Sequence, residues 1–189
     1  MLALAAGFAI WAGQKVAARQ PFPPDTTPEG AYARIALSVA ERRYAEMFAY
    51  LETEAQWAAY TIRDARRKAC ARVTASYPPA ERERLLAAWR AEADAPDGAD
   101  VFVLLAAARH WPARLERDLS GVGSVDIEGP RATVVTARGT RYPFRRRDNG
   151  IWGLTIFTAE LAAEAERASR DLEGVERDAA DYDRANAAK

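Results

Sequence analysis

The chain has 189 residues, of which 49% are hydrophobic, and this size and composition are typical of one globular domain with short appendages. Its 27 basic and 27 acidic residues cancel, so the molecule as a whole has no net charge that would attract nucleic acid. The single cysteine, Cys70, and the single histidine, His110, exclude a disulfide framework and any zinc site built by this chain from Cys and His ligands alone. We expect Cys70 to be a half-buried helix residue.

The first apolar run, Leu2 to Gly13, has the length of a signal-peptide core, but it is shorter than the roughly 20 residues of a membrane-spanning helix. The small residues from Val16 to Ala18 resemble a cleavage site. No basic residue precedes the run, so either the true start lies upstream or the run is an uncleaved anchor, and an amphipathic or frayed N-terminal helix is a further alternative. The sequence predicts that residues 1–26 form a signal peptide or membrane anchor with a Pro-rich leader. It also predicts a cell-envelope location, by export or by anchoring through residues 1–18.

Helical patterns fill the chain after the leader. Thr27 is the expected N-cap of the first helix, and Pro28 its first residue. The segment from Thr53 to Gln56 has the pattern of a capping box, which would start a long helix that ends at Tyr77. The apolar run from Val101 to Trp111 fits either a strand or a buried helix, and its alanines favour the helix.

After Ser120 the apolar residues alternate with polar ones, which indicates antiparallel strands separated by short turns. The predicted strands are Ser124 to Glu128, Arg131 to Ala137, Thr140 to Arg146 and Ile151 to Phe157. Helices followed by such a meander predict an α+β fold: an N-terminal helical block, a curved, cone-like antiparallel sheet and a long C-terminal helix.

The register of the last hairpin follows from the requirement that cross-strand partners share a face. A three-residue loop, with Gly150 in the left-handed conformation, pairs core residues with core residues. The predicted pairs are Arg146 with Trp152, Phe144 with Leu154 and Tyr142 with Ile156. The opposite face then carries Arg141, Pro143, Arg145 and Arg147. Because Pro143 has no N–H to donate to a neighbouring strand, we expect a bulge or a broken pair there.

Residues 158–189 carry a heptad pattern of apolar and small residues. Its members are Leu161, Ala165, Ala168, Leu172, Val175, Ala179 and Tyr182. This segment contains nine acidic and five basic residues, whereas the stretch from Arg131 to Arg147 contains six arginines and no acid. We therefore expect the helix to lie over part of the sheet, with its acids near Arg141, Arg145 and Arg147.

The opening TPEGAYARIALSVAERRYAEMFAYL and the closing meander ATVVTARGTRYPFRRRDNGIWGLTIF resemble the nuclear transport factor 2-like superfamily. The likeness covers residues 27–157, and the small, non-catalytic, envelope-associated bacterial members are the most similar in type. The resemblance implies a cone-like pocket, which in this chain would be lined by Tyr142, Phe144, Trp152 and Leu154. The long helical middle block and the helix of residues 158–189 depart from the usual family pattern.

Two functions fit these observations. The first is a non-catalytic envelope-associated domain that binds a small apolar ligand or a protein partner. The alternative is a small isomerase or dehydratase of the ketosteroid-isomerase type, which needs a carboxylate base inside the pocket. Asp126 and Glu128 alternate with apolar residues and should face away from it. His110 has no acid or serine at a suitable spacing.

The prediction for the first function therefore includes no catalytic residue, no metal and no cofactor. It also includes no nucleic-acid partner, because the aromatic residues that would stack on bases fall on the apolar face of the hairpin, away from its arginines. The oligomeric state is left open.

Overall fold

The computed structural model describes residues 22–188, in which helices precede a four-stranded antiparallel sheet and a long helix follows it. The helices are α1 (Pro28–Ala40), α2 (Tyr44–Met47), α3 (Thr53–Ser76), α4 (Pro79–Ala93), α5 (Gly98–Ala108), α6 (Trp111–Asp118) and α7 (Thr158–Ala187), and the strands are β1 (Val122–Glu128), β2 (Arg131–Thr136), β3 (Arg141–Arg146) and β4 (Trp152–Leu154). This order confirms the predicted α+β class.

The predicted signal peptide or anchor lies almost wholly outside the described residues, which begin at residue 22. Within residues 22–188, none of the helices combines the length and the apolar character that crossing a bilayer requires.

The helix starts follow the predictions in part. Thr27 caps α1, where its hydroxyl accepts a hydrogen bond of 3.1 Å from the backbone N–H of Gly30. The capping box predicted at Thr53 is wrong, because the N-cap of α3 is Glu52 and its side chain makes no capping bond. The amide of Gln56 donates instead to the carbonyl of Phe48, at 2.8 Å. The ambiguous run after Val101 is helical, as its alanines indicated.

The sheet has the strand order β1-β2-β3-β4, and the register predicted for its last hairpin is confirmed. Phe144 lies opposite Leu154 and Arg146 lies opposite Trp152. Gly150 has a φ of +84°, so it occupies the left-handed position that the three-residue loop requires. The predicted partnership of Tyr142 with a residue of the last strand does not form, because β4 ends at Leu154.

The bulge expected at Pro143 is absent from the β2–β3 ladder, in which Thr133 and Pro143 are directly opposite. The backbone N–H of Thr155 donates to the Pro143 carbonyl at 3.1 Å, so this residue directs its backbone groups towards β4. The reciprocal bond to the Thr155 carbonyl cannot form because proline has no N–H, and the β3–β4 pairing ends at Leu154, so a broken pair, the other expectation, occurs on this side of β3. The register shifts between Val122 and Ser124 instead.

One hydrophobic core lies between the helices and one face of the sheet, which we call the inner face. Ile35, Leu51, Phe102, Phe157 and Leu161 are among its fully buried side chains. Phe157 stacks on Trp111 with ring centroids 4.4 Å apart. The core therefore joins α1, α5, α6 and the start of α7 to the sheet.

α7 packs along α3 in the same direction, so the expectation that it covers part of the sheet is wrong. At the start of the pair, the Thr158 hydroxyl donates to Glu52, and near the end the Tyr77 hydroxyl donates to the Val175 carbonyl at 3.3 Å. Of the predicted heptad residues, Leu161, Ala165, Ala168, Val175 and Ala179 are buried, and Leu172 and Tyr182 are half-buried. The complementary stripe on α3 is made largely of small residues and includes Ala55, Ala58, Ala59, Ala65 and Ala69.

The acids of α7 face the arginines of α3 and Arg109, and this corrects the predicted contact with the sheet arginines. Arg66, which is 4% exposed, lies 2.6 Å from Asp171, 3.0 Å from Glu92 and 3.8 Å from Glu164. A buried guanidinium needs such partners because desolvation of an unpaired charge is costly. The buried charge of Arg66, together with the alanine stripe, thus decides where α7 lies.

Candidate functional site

The residues predicted to line a pocket lie on the inner face of the sheet. Tyr142, Phe144, Trp152 and Leu154 are between 1% and 4% exposed, and all four belong to the main core. Tyr142 packs against Tyr32 of α1 with ring centroids 5.4 Å apart. These side chains are therefore covered by other parts of the protein, and their contact with a ligand stays a prediction.

The hydroxyl of Tyr142 is a polar group on this inner face. It is buried and has no hydrogen-bond partner within residues 22–188, whereas the hydroxyl of the neighbouring Tyr32 donates to the Ser120 carbonyl at 2.7 Å. Burial raises the pKa of Tyr142 to about 12, and the nearby Tyr32 and Asp118 add to the effect. The phenol is therefore neutral at physiological pH and can donate a hydrogen bond.

The opposite, outer face of the sheet carries a charged groove with a volume of about 480 Å³. Its lining combines acidic residues, arginines and short polar side chains. The residues that matter most for its charge are Glu52, Asp126, Glu128, Arg131, Arg141 and Arg145. Asp126 and Glu128 therefore face away from the core, as their alternation with apolar residues predicted.

A row of charges crosses the sheet at one end of this groove. Glu128 lies opposite Arg131 on β2, and Arg131 lies directly opposite Arg145 on β3. Two like charges directly opposite each other on neighbouring strands destabilise a sheet. Arg145 also lies 3.5 Å from Glu52, so the two arginines are flanked by an acid on each side.

Glu52 reaches the groove because the chain before α3 passes beside the end of β4. Its backbone N–H donates to the Leu154 carbonyl at 3.2 Å, and a Cβ added to Gly153 would lie 2.5 Å from the Glu52 Cα. Only a glycine permits this approach. The Glu52 side chain is 6% exposed, and it accepts a hydrogen bond from the Thr158 hydroxyl.

Sequence reasoning missed Glu52 as a member of the site, because it is 101 positions from Gly153 in the chain. The signal that could have found it is Gly153 itself. A glycine within an apolar strand often marks the close approach of another backbone segment.

The remaining arginines of the outer face have separate roles. Arg147 donates to the Ala49 carbonyl at 2.8 Å and to the Gln56 side chain at 3.1 Å, so it ties the hairpin to the segment before α3. Arg131 and Arg141 have no carboxylate within 4.0 Å in the part of the chain that the structure describes. These two guanidinium groups are therefore available to another molecule.

The two single-copy residues noted in the sequence do not form a reactive site. Cys70 is half-buried, and burial raises the pKa of its thiol, which disfavours the nucleophilic thiolate. His110 is exposed and precedes α6 in a left-handed conformation with a φ of +56°. No cluster of three or more His, Cys, Asp or Glu residues suited to a metal occurs among residues 22–188.

Comparisons with known proteins leave the fold family open. No protein-family model matches the chain, and no curated protein or solved structure is significantly similar to it. The resemblance to the nuclear transport factor 2-like superfamily therefore stays a prediction.

Proposed function

We propose that the protein is a non-catalytic, envelope-associated binding domain that holds an acidic segment of a protein partner in the charged groove on the outer face of its sheet. The observation that carries this proposal is the pair of directly opposed arginines, Arg131 and Arg145, on the same face as Arg141, which has no carboxylate within 4.0 Å among residues 22–188. The envelope part of the proposal rests on the apolar run within residues 1–18 alone.

Opposed arginines are unfavourable for the sheet by themselves and become favourable when an anion bridges them. A carboxylate accepts hydrogen bonds from a guanidinium in a bidentate geometry, which fixes both orientation and distance. Glu52 neutralises Arg145 in part, whereas Arg131 retains its charge and its donors. The carboxylates of an incoming segment would therefore bind first at Arg131 and, four positions further along the sheet, at Arg141.

The lining of the groove favours a protein segment over a small apolar ligand. Most of its lining residues are charged or short and polar, Pro143 is among the few apolar ones, and the groove is open to solvent along the sheet. A small apolar ligand would need an apolar cavity, and the residues predicted to line one are packed within the core. The apolar-ligand part of the original hypothesis thus has less support than the protein-partner part.

Binding of a blocked hexaglutamate peptide to the full chain tests the proposal. Isothermal titration at low ionic strength should detect binding that weakens as salt is added, because exposed charges are screened over about 8 Å at 0.15 M salt. Arg131→Gln should lower the affinity about tenfold, which corresponds to about 1.4 kcal/mol for one charge-assisted contact.

The matched control is Arg84→Gln, since Arg84 is an exposed arginine of α4 whose one acidic partner in the described part of the chain is Glu81 of the same helix. This variant should bind hexaglutamate as the wild type does. Equal loss of affinity in both variants would show that the peptide recognises general charge, and the groove proposal would then fail. Absence of measurable binding by the wild type would also overturn it.

The alternative function, a small isomerase or dehydratase of the ketosteroid-isomerase type, has one observation in its favour. The buried Tyr142 hydroxyl is unpartnered among the described residues and is neutral, as an oxyanion donor must be. However, Asp126 lies on the outer face, on the other side of the sheet from this hydroxyl. A ketosteroid substrate whose α-proton exchanges with solvent, with the exchange lost in Tyr142→Phe, would establish this alternative in place of the binding function.

A further inference from the structure

The first strand has a free edge in the described chain, and its alternating residues have a defined chemistry. β1 pairs only with β2, and all seven of its residues are exposed except Val125, which is half-buried. We propose that this edge accepts an extended segment of a partner protein as an added strand, in which basic and apolar residues alternate. This interaction surface shares Asp126 and Glu128 with the groove, but it uses the backbone of the β1 edge and does not use the arginines of the proposed function.

The hairpin turn determines which backbone groups point to the free edge. Gly129 and Pro130 form a two-residue turn, and Gly129 has a φ of +58°. In such a hairpin the two flanking residues, Glu128 and Arg131, exchange both backbone hydrogen bonds. Because this arrangement alternates along the strand, the N–H and C=O groups of Val125 and Ile127 point away from β2 and towards the free edge.

The side chains of β1 define what an added strand must present on the inner face. Val122 and Ile127 are 40% and 55% exposed, although their partners Thr136 and Ala132 on β2 are buried. The core therefore stops short of the sheet edge and leaves apolar side chains in contact with solvent. Apolar residues of an added strand would extend this layer and cover them.

The acidic side chains on the outer face of β1 determine which charge an added strand should carry. Asp126 and Glu128 have no basic side chain within 4.0 Å in the part of the chain that the structure describes, and both line the outer groove. Cross-strand neighbours on one face interact directly, so lysine or arginine next to them stabilises an added strand and an acid destabilises it. Alternation of basic and apolar residues is thus the pattern that satisfies both faces.

The same argument excludes a second copy of this chain as the occupant. If two β1 edges paired in antiparallel fashion with Ile127 of each copy opposite the other, Asp126 of one copy would face Glu128 of the other. With Ile127 opposite Val125, the two Asp126 side chains would face each other. Charges at the edge of a sheet commonly prevent this kind of self-association. Only a segment of opposite charge benefits from the edge.

A blocked octapeptide of alternating lysine and valine provides the probe. With isotope-labelled full-length protein, we expect saturable chemical-shift changes on β1, and slower solvent exchange of the Val125 and Ile127 amides, because strand addition works through backbone hydrogen bonds. The same peptide with glutamate in place of lysine should bind at least tenfold more weakly. Equal binding of the two peptides, or unchanged amide exchange, would overturn the proposal.

Two variants locate the interaction at the edge. Ile127→Pro removes an N–H that faces the free edge and leaves the bonds to β2 intact, so it should abolish binding of the lysine–valine peptide. If this variant fails to fold, the double charge reversal Asp126→Lys with Glu128→Lys still decides the question, because it should make the glutamate–valine peptide the tighter ligand. A reversed variant that still prefers the lysine–valine peptide would refute the assignment.

Discussion

The two faces of the sheet are built from alternate residues of the same strands, but they differ in almost every physical property. The inner face presents Phe144 and Leu154 to the core, where both are almost completely inaccessible to solvent. The outer face presents Arg131 and Arg145 at directly opposed positions in an open groove. The side chains that stabilise the fold therefore lie on the inner face of β2, β3 and β4, and the proposed binding site lies on the outer face.

The difference shows that core packing and the exposure of unpartnered charges, two requirements that often conflict, are met on separate faces of this sheet. The like charges of Arg131 and Arg145, opposite each other on the outer face, lower the stability of the sheet slightly. Burial of the aromatic and aliphatic side chains of the inner face contributes far more stability than this repulsion removes. Substitutions on the two faces should consequently differ in both the size and the kind of their effects.

The largest effect is expected on the inner face, from Phe144→Ala. Removal of a fully buried phenylalanine leaves a cavity and should lower the free energy of unfolding by about 3–5 kcal/mol. Urea denaturation followed by circular dichroism measures it. Ile127→Ala is the matched control on the same face, because Ile127 is more than half exposed. Similar losses in both variants would contradict the view that the core ends before β1.

The next largest effect is expected at Gly153, where the backbone of Glu52 lies close to β4. Gly153→Ala places a Cβ 2.5 Å from the Glu52 Cα, so backbone must shift, and we expect a loss of about 1–3 kcal/mol in the free energy of unfolding. Gly174→Ala, within α7, meets only the tip of the Arg177 side chain at 3.9 Å and should stabilise the helix by about 0.5–1 kcal/mol. Opposite signs for the same substitution are the expected result of thermal unfolding measurements.

Smaller effects on stability, which also depend on pH, are expected from Tyr142→Phe and Tyr77→Phe. At neutral pH, Tyr142→Phe should leave stability unchanged or raise it, because it removes a buried hydroxyl that has no partner among residues 22–188. Tyr77→Phe removes a hydroxyl that donates to the Val175 carbonyl, and it should lower stability by about 0.5–1.5 kcal/mol. Chemical denaturation of both variants at pH 7 checks this difference.

The pH dependence of the same variants has a definite sign. Burial raises the pKa of both Tyr142 and Tyr77 to about 12, whereas an unfolded tyrosine ionises near 10. The stability from each neutral phenol is fully present below pH 10 and is lost as the pH rises towards 12, because the unfolded chain releases its proton first. Each phenylalanine variant should therefore lose less stability over this range than the wild type. An unchanged slope for Tyr142→Phe would contradict the raised pKa.

The smallest stability effect is expected on the outer face, from Arg131→Thr. This change removes the like-charge contact with Arg145 and should raise the free energy of unfolding by about 0.2–1 kcal/mol, while hexaglutamate binding weakens. A gain of stability together with a loss of hexaglutamate binding would support the view that Arg131 contributes to binding and not to the stability of the sheet. If Arg131→Thr destabilised the protein, Arg131 would have to be a structural residue.

The sequence was informative wherever the decisive interactions are local or repeat along one element. The alternation of apolar residues and the left-handed preference of Gly150 were sufficient to predict that Phe144 lies opposite Leu154, because a shift of one residue would expose the core face. The heptad pattern likewise predicted the buried stripe of α7, from Leu161 onwards.

The sequence was misleading where a pattern indicates the properties of one helix or strand but does not indicate which other element it contacts. The acids of α7 were expected near the sheet arginines on the basis of charge alone, but several arginines elsewhere offer the same charge. Arg66 binds Asp171 in the structure because α3 also provides a stripe of alanines against which α7 packs. Shape and charge together selected a contact that charge could not select alone.

The sequence by itself determined the order of helices and strands, though not all of their ends, together with the hairpin register and the two-sided character of the sheet, since these follow from periodicity and turn conformation. Only the tertiary structure decided that Glu52 lies against Gly153, beside Arg145, and that no other strand among residues 22–188 pairs with the outer edge of β1. These features depend on contacts between residues far apart in the chain. Such contacts form where side-chain volumes and charges are complementary in three dimensions, and a local sequence pattern does not predict that complementarity.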